Sequence, residues 1–430
     1  MFHNDCIKNL LNLKDKNIYF DEIFSSSQID KNGMKCTIFH AKLTYKPESC
    51  PCCGNKNINN SIIKHSFKVS NITLLEVSST PTILRLKKQR FLCKKCRKTF
   101  SAKTNIVEKN CYISNNLKFR IALELKEMVS VKYIAKSFNV SNSTVIRIMN
   151  SYYNDYKINR NYLPENLCFD EFKSTKDADG AMSFIYCDAD APHSIIDIVE
   201  NRRLNYLKQY FDLYPKKVRA KVKTITIDMY TPYMTLIKEL FPNAKIIIDR
   251  FHIVQLVSRV LNKVRISVMN TKKNKEIPIY NKLKKYWKLI LKADRKCSYT
   301  AKRHRLFNKF ISEYEIVNFL LSVDTNLKLV YEFYQDIIYA LEYKDIDAFE
   351  RSINKKRGNS KDITTTLKTL RKHFGSISNS LKYTYSNGPL EGINNKIKVL
   401  KRIGYGFRRF HNFRTRILIC FNQNIITNPL

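Results

Sequence analysis

The sequence is poor in the residues that loosen a chain: 9 Gly and 11 Pro among 430 positions. That scarcity excludes a flexible low-complexity linker, and no internal repeat is visible. No run approaches the roughly 20 apolar residues that span a bilayer. Met1 to Lys16 carries Asp5 and Asp15 and ends in no small-residue cleavage site, so no signal peptide is expected. G-x-S-x-G is missing, which disfavours a nucleophile-elbow hydrolase, and G-x-x-x-x-G-K-[ST] is missing, so no ATP use is implied. Acid is scarce as well: 37 Asp and Glu face 77 Lys and Arg, a net charge of +40.

Such a surplus repels itself in a compact protein unless a polyanion shares the surface. An AT-rich genome would also enrich Lys, Asn and Ile. The charge spreads over the whole length, however, and predicts nucleic acid as partner ahead of an anionic membrane. The length favours two to four domains. The expected setting is a reducing cytoplasm, at the nucleoid, with no membrane partner. There, twelve cysteines read as metal ligands or buried thiols and not as a disulfide scaffold.

Four of those cysteines form two C-x-x-C turns, Cys50-Pro51-Cys52-Cys53 and Cys93-Lys94-Lys95-Cys96. Each turn can present two thiolates to one ion, and together they complete a structural Cys₄ zinc site. Gly54 suits the knuckle, where positive φ is needed. The long interval 54–92 exceeds ribbon spacing and predicts a hairpin or small sheet between the turns. Cys52 is a spare thiol that could replace Cys53 or Cys50.

A helical pattern follows. Ser114 to Val129 places Leu117, Ile121, Leu125 and Met128 on one face, and Val131 to Phe138 makes a second, short helix. Asn139-Val140 turns, and Ser141 caps a third helix carrying Val145, Ile148 and Met149. This is a helix-turn-helix pattern, in which Ser141, Asn142, Ser143, Thr144 and Arg147 stand where base edges are read in a major groove.

Short apolar runs then replace helices. Asn166 to Lys173 is a strand with Asp170 and Glu171 inside it, where ionised groups are costly unless paired or metal-bound. Alternation puts only one of the two toward a site. Met182 to Tyr186, Ser194 to Val199, Val222 to Ile227 and Lys245 to Ile248 are further strands, with Asp228 and Asp249 at the ends of the last two. Three strands, a helix, a strand, a helix and a strand predict an α/β core of the ribonuclease-H-like class: a mixed five-stranded sheet with flanking helices. Asp249 and His252 read either as a helix cap with a packed histidine or as a supporting pair for the site. Far downstream, Asn387-Gly388 caps a helix beginning at Pro389, with Leu390, Ile393, Ile397 and Leu400 as its buried stripe. Glu391, Asn395, Lys398 and Arg402 share an adjoining polar face. Taken alone, Glu391 is an acid favoured by the helix dipole.

These residues resemble a family, the DDE transposases of bacterial insertion sequences, most closely the ISL3 group. The resemblance rests on Cys50 to Gly54 with Arg90 to Cys96, on Phe169-Asp170-Glu171-Phe172, and on Thr226 to Tyr233. It rests also on Phe241 to Ala244 leading to Asp249 to His252, and above all on Ser386 to Lys398 with Gly404 to Phe407. It implies that Asp170, Asp228 and Glu391 form the metal-binding triad, holding Mg²⁺ or Mn²⁺ for cleavage and joining of double-stranded DNA. Asn395, Lys398 and Arg402 would hold the backbone, and Asp249 and His252 would support. The expected partners are the terminal inverted repeats and target DNA, with a homodimer or larger assembly upon them. A transposase-derived regulator with an inactive core is the alternative. The expected domains are a lead-in (1–45), the zinc module (46–105), the helix-turn-helix (106–160), the first part of the core (161–270), a helical insertion (271–375) and the final helices (376–430).

Overall fold

The first hundred residues alternate inward apolar and outward polar side chains, and they fold as strands. In the computed structural model, which describes residues 2–29, 33, 35–153, 158–191, 194–355 and 361–421, the chain forms two compact units. One is Met1–Lys157 with Lys396–Leu430; the other is Ile158–Asn395. No helix of the described residues is long and apolar enough to cross a membrane.

The first unit opens with α1 (Phe2–Leu10) and five strands: β1 (Ile18–Ile29), β2 (Lys35–Leu43), β3 (Ile62–Thr73), β4 (Thr82–Cys93) and β5 (Thr99–Ser101). Leu84 and Leu86 of β4 point to the core while Arg85 and Lys87 do not, the period of a one-sided strand. The sheet order is β1-β2-β4-β3, with β5 paired to β4. Residues 1–45, expected as a lead-in of short segments, thus supply two strands of the same sheet as the zinc module. Ile18, Phe39 and Leu43 share one core with Ile72, Leu84 and Phe91, so the two stretches bury their apolar faces together. The interval 54–92 does hold a hairpin, β3 against β4.

Three helices follow: α2 (Asn115–Glu124), α3 (Val131–Ser137) and α4 (Asn142–Tyr153). Ser114 and Ser130 cap the first two through their hydroxyls, and Ser141 Oγ accepts from Thr144 N–H at 3.1 Å. Asn139 takes φ +49 in the turn before α4, a conformation asparagine tolerates. The helix expected to reach Val129 ends instead at Glu124, for a reason found at the far end of the chain.

The second unit is built on β6 (Asn166–Lys173), β7 (Met182–Asp188), β8 (Ile195–Val199), α5 (Leu204–Asp212), α6 (Lys216–Arg219), β9 (Thr224–Ile227), α7 (Thr231–Leu240), β10 (Lys245–Ile248) and α8 (Arg250–Thr271). Its sheet runs β10-β9-β6-β7-β8 and is mixed: β6, β9 and β10 are parallel, while β7 lies antiparallel to both β6 and β8. Every residue of β9 is buried, as a central parallel strand covered on both faces requires. Under β6, Phe169 stacks on Phe211 at 5.5 Å and meets Phe184 edge-on at 5.0 Å. This aromatic bed fixes the strand that carries Asp170.

The expected helical insertion is present as α9 (Ile277–Lys285), α10 (Trp287–Ile290), α11 (Glu313–Leu321), α12 (Thr325–Tyr343), α13 (Ile346–Asn354) and α14 (Lys361–Lys372), interrupted by the hairpin of β11 (Lys302–His304) and β12 (Lys309–Ile311). Leu261 and Val264 of α8 join Val330 and Ile337 of α12 in the same core as the sheet. The insertion therefore shares the core of this unit. α15 (Phe374–Lys382) is pinned to β10 by Ser380 Oγ, which accepts from Ile248 N–H at 3.0 Å.

The last helices are α16 (Gly388–Ile403) and α17 (Phe410–Phe421). Residues from 396 on group with the first unit, whereas 376–430 was expected wholly in the core. α17 completes the three-helix bundle: Ile419 joins Leu117, Ile134 and Val145 in one cluster. Arg416, 1 % exposed, donates to the carbonyls of Leu125, Glu127 and Val129. These bonds take the carbonyls just past α2, which is why the helix stops where it does. Arg416→Met should lower stability by about 2 kcal/mol, because one buried and two half-buried carbonyls lose their charged donor. Arg416→Lys should recover little of it, lacking the planar fork. Urea unfolding of both variants would measure this, and a melt equal to the native one would sink it.

Candidate active site

The parallel pairing of β6 with β9 ends at Cys168 opposite Thr226. Asp170 and Asp228 each stand two residues beyond that last rung. β9 and β10 pair up to Ile227 opposite Ile248, and Asp249 N–H donates to Ile227 C=O at 2.9 Å. Asp228 and Asp249 therefore stand at the carboxyl ends of β9 and β10, the edge where ligands of open α/β sheets bind, level with Asp170, which lies inside β6 where that strand runs on past its pairing with β9. Asp170 and Asp228 line a cleft of about 340 Å³ with Glu171, Tyr233, His252 and Arg259.

Glu171 has its own partners. Arg202 pairs with one of its oxygens, and Tyr233 Oη donates to the other at 3.0 Å. Asp170 bends back to accept from Glu171 N–H at 2.7 Å, so both carboxylates reach the cleft despite strand alternation. Asp249 accepts from Phe251 N–H at 3.2 Å and caps α8. One turn on, His252 Nε2 lies 2.8 Å from Asp228 Oδ1. The cap and the supporting contact, weighed as alternatives from sequence, coexist.

The first turns of α16 supply two amides that the sequence reading did not assign. Asn387 stands at the cap, its C=O accepting from Glu391 N–H at 3.0 Å, while its Nδ2 is directed to Phe169 C=O (3.4 Å) and Asp228 Oδ1 (3.5 Å). Asn394 Nδ2 donates to Asp170 Oδ2 at 2.7 Å. Asn395, chosen from sequence, is exposed, as are Lys398 and Arg402. Asn387 and Asn394 lie four residues before and three after Glu391, so all three share one helical face. Glu391 itself is exposed. Among the described residues the tight donor cluster is four cysteines; the three acids are not drawn to one point. The signal for Asn394 was its place beside the buried stripe of Leu390, Ile393 and Ile397.

The cleft is short of positive charge. Burial pushes Asp170 up to about 7, with the Asp228 and Glu171 charges adding and the Glu171 N–H opposing. Burial also raises Asp249. The hydrogen bond to Asp228 raises His252 against its own burial. Asn387 Oδ1 and Asn394 Oδ1 are buried without a hydrogen-bond partner. Crowded carboxylates beside unpartnered amide oxygens are a hard-oxygen donor set of the kind a divalent cation takes.

In the first unit, the sulfurs of Cys50, Cys53, Cys93 and Cys96 lie within 4.8 Å of one another. Cys50 and Cys96 are 3.7 Å apart, and Cys53 and Cys93 3.9 Å. Tetrahedral zinc with Zn–S of about 2.3 Å sets sulfurs roughly 3.8 Å apart, so the donor set fits. Cys52 is exposed and stands outside the cluster. Gly54 has φ +69, and Arg97, its counterpart after the second turn, has φ +55. Burial works against the Cys50 thiolate, yet the N–H groups of Cys52 and Cys53 bring it down to about 6. On α4, Asn142, Ser143 and Arg147 are exposed with Ser141 before them. Thr144 is 8 % exposed, a correction to its expected outward role. Its hydroxyl contacts Ser141 Oγ at 3.0 Å and accepts from Arg147 at 3.2 Å, serving the cap.

Comparison with known proteins agrees with this layout. An ISL3-type family model described as transposase matches residues 167–417. A zinc-finger model of transposase IS204/IS1001/IS1096/IS1165 matches 46–96, and a helix-turn-helix model of transposase family ISL3 matches 102–153. A Lactococcus lactis subsp. lactis protein named "ATP-dependent protease" is 42% identical over 118 residues, 27% of this chain and 38% of that protein. The transposase for insertion sequence element IS1001 of Bordetella parapertussis is 25% identical over 225 residues, 50% of this chain and 52% of the relative. The chain thus spans about half or less of the length of these curated relatives. Among solved structures, the Drosophila P element transposase strand transfer complex is similar at 14% identity and a TM-score of 0.34, over 74% of this chain and 94% of that one. With its transposase model covering more than half of the residues, the chain belongs to the ISL3 family of transposases.

Proposed function

We propose that this protein binds the terminal inverted repeats of an insertion sequence and cuts and joins DNA strands at a DDE site made by Asp170, Asp228 and Glu391. The core is then ribonuclease-H-like, a reading supported by its strand order and mixed pairing. The observation that carries the proposal is the level placement of Asp170 and Asp228 beyond the last rung between adjacent strands. Glu391 enters through its place between Asn387 and Asn394, the two amides that reach those aspartates.

Magnesium or manganese, when bound, activates water and stabilises the leaving 3′-oxygen. Asp170 and Asp228 would hold the cation, with Glu391 as third ligand, and the two amides would keep the aspartates aimed. Arg202 and Tyr233 hold Glu171 aside so that it does not compete. His252 keeps Asp228 oriented and offsets its charge. Water attacks phosphorus, and the 3′-oxygen leaves with a proton; in the joining step a freed 3′-hydroxyl is the nucleophile and a target phosphodiester is broken. Ser141, Asn142, Ser143 and Arg147 face the repeat, while Asn395, Lys398 and Arg402 hold phosphates. Two ends must be cut together, so the working form is a dimer or larger assembly on DNA.

The test is end cleavage of a plasmid carrying the element's termini, run with Mg²⁺ at several pH values. Cutting should fall at the termini, stop with a chelator and, at Mg²⁺ too dilute to saturate the site, rise with pH up to the Asp170 value of about 7, then level off, with the midpoint moving lower as Mg²⁺ is raised. The sign follows from Asp170 needing to lose its proton to become a ligand. In the metal-free protein, stability should fall as pH rises from about 4 to about 7, since the folded state binds that proton more tightly than the unfolded one. Cuts scattered without regard to the termini would refute the proposal in favour of a plain nuclease.

A further inference from the structure

The turn Gly404–Arg409 joins α16 to α17 and has no part in the chemistry above. α16 ends with two reverse bonds: Tyr405 N–H to Arg402 C=O at 3.0 Å, and Gly406 N–H to Lys401 C=O at 2.8 Å. That pair defines a Schellman ending, whose left-handed residue is ordinarily glycine. Here it is Tyr405, at φ +52, although glycines stand on both sides of it. A bulky residue in that region is a genuine outlier, and such strain points toward a role.

Folding gives Tyr405 no burial in return. It is 98 % exposed, the highest value among the large apolar side chains of the described residues. The turn beneath it is anchored. A Cβ on Gly404 would lie 3.1 Å from the Phe407 ring, and Phe407 packs at 4.7 Å on the buried Phe413 of α17. The backbone is thus held down while one aromatic ring is held out.

Arginines flank that residue in the chain. Arg402, Arg408 and Arg409 are exposed. A cleft of about 550 Å³ is lined by Arg408, Arg409 and Asn412 together with Ser143, Arg147 and Asn150 of α4. The turn and the recognition helix therefore form one cationic surface. Cations tracking a backbone beside an outward aromatic ring are the components with which proteins hold unstacked bases.

We infer that the Gly404–Arg409 turn is a second DNA contact beside the recognition helix, in which Arg408 and Arg409 hold phosphates and Tyr405 stacks on a base that has left the duplex stack. The inference rests on the reading of this chain as a binder of the element's ends. It adds where the DNA is deformed and by which side chain.

The experiment uses the full chain and short duplexes of the element's end carrying 2-aminopurine at successive positions. The native protein should prefer the end over a scrambled duplex and raise 2-aminopurine emission at one position. Tyr405→Ala should weaken binding by about five- to a hundredfold, the range of one base–aromatic stack, and abolish the emission change. Tyr405→Phe should keep both. Tyr405→Gly, which relieves the strained φ, should melt no lower than the native protein yet bind like the alanine variant, separating a DNA contact from a folding defect. Native-like binding and emission in Tyr405→Ala would overturn this inference alone. Loss of the native protein's preference for the end would overturn the functional reading beneath it.

Discussion

Asp228→Asn is expected to reduce Mg²⁺-dependent end cleavage by at least about a thousandfold, while leaving DNA binding intact. The substitution keeps the shape of the side chain and removes one charge. A catalytic cation contributes several kcal/mol to stabilising the transition state, and each 1.36 kcal/mol is a factor of ten in rate. The folding control runs the other way. Asp228 helps raise the pKa of both Asp170 and Asp249, so its neutralisation relieves like-charge repulsion and the variant should melt no lower. His252, raised chiefly by its bond to Asp228, should titrate at lower pH in the variant, a shift visible by NMR. Single-turnover cleavage within tenfold of the native rate would remove Asp228 from the triad.

Loss of the zinc site carries the second large effect. Structural zinc contributes about 10–16 kcal/mol in small zinc-binding peptides, comparable to or above the whole stability of a typical domain, about 5–15 kcal/mol. Cys50 and Cys93 are buried members of the apolar cluster of the five-stranded sheet. Cys93→Ser, or a strong chelator, should therefore unfold that sheet and abolish selective binding to the element's end. Cys52→Ser should change neither, since Cys52 is exposed and outside the cluster. Circular dichroism with zinc quantification would check both. A chelated protein with an unchanged melt would show that the four thiols hold no structural metal.

Local pattern carried much of this structure. The C-x-x-C spacing, the Ser141 cap and the apolar faces of α2 to α4 are written within a few residues of one another, and they stand where the sequence places them. Asp228 was legible because a strand end is a local event. The contacts of Asn394 with Asp170 and Asn387 with Asp228 join positions far apart in the chain, and no periodicity announces them. Helical spacing from Glu391 picks out the exposed face of Asn395, Lys398 and Arg402, and Asn394 lies on the neighbouring, buried side. Glu171 could not be separated from Asp170 by alternation, because its distinction lies in Arg202 and Tyr233. The strands of residues 18–43 were missed for the same reason: their partner across β2, the strand β4, is parallel and comes after an intervening hairpin strand.

The fork of Arg416 sets an order of events during synthesis. The helices α2 to α4 emerge early, yet the side chain that closes the carbonyls after α2, and Ile419 that fills their core, come far later in the chain. A nascent chain has all its aspartates in place before its helical bundle is finished. Translation would thus hold the bundle incomplete until Arg416 and Ile419 have been made, and stop codons upstream of Arg416 would yield products with an open bundle.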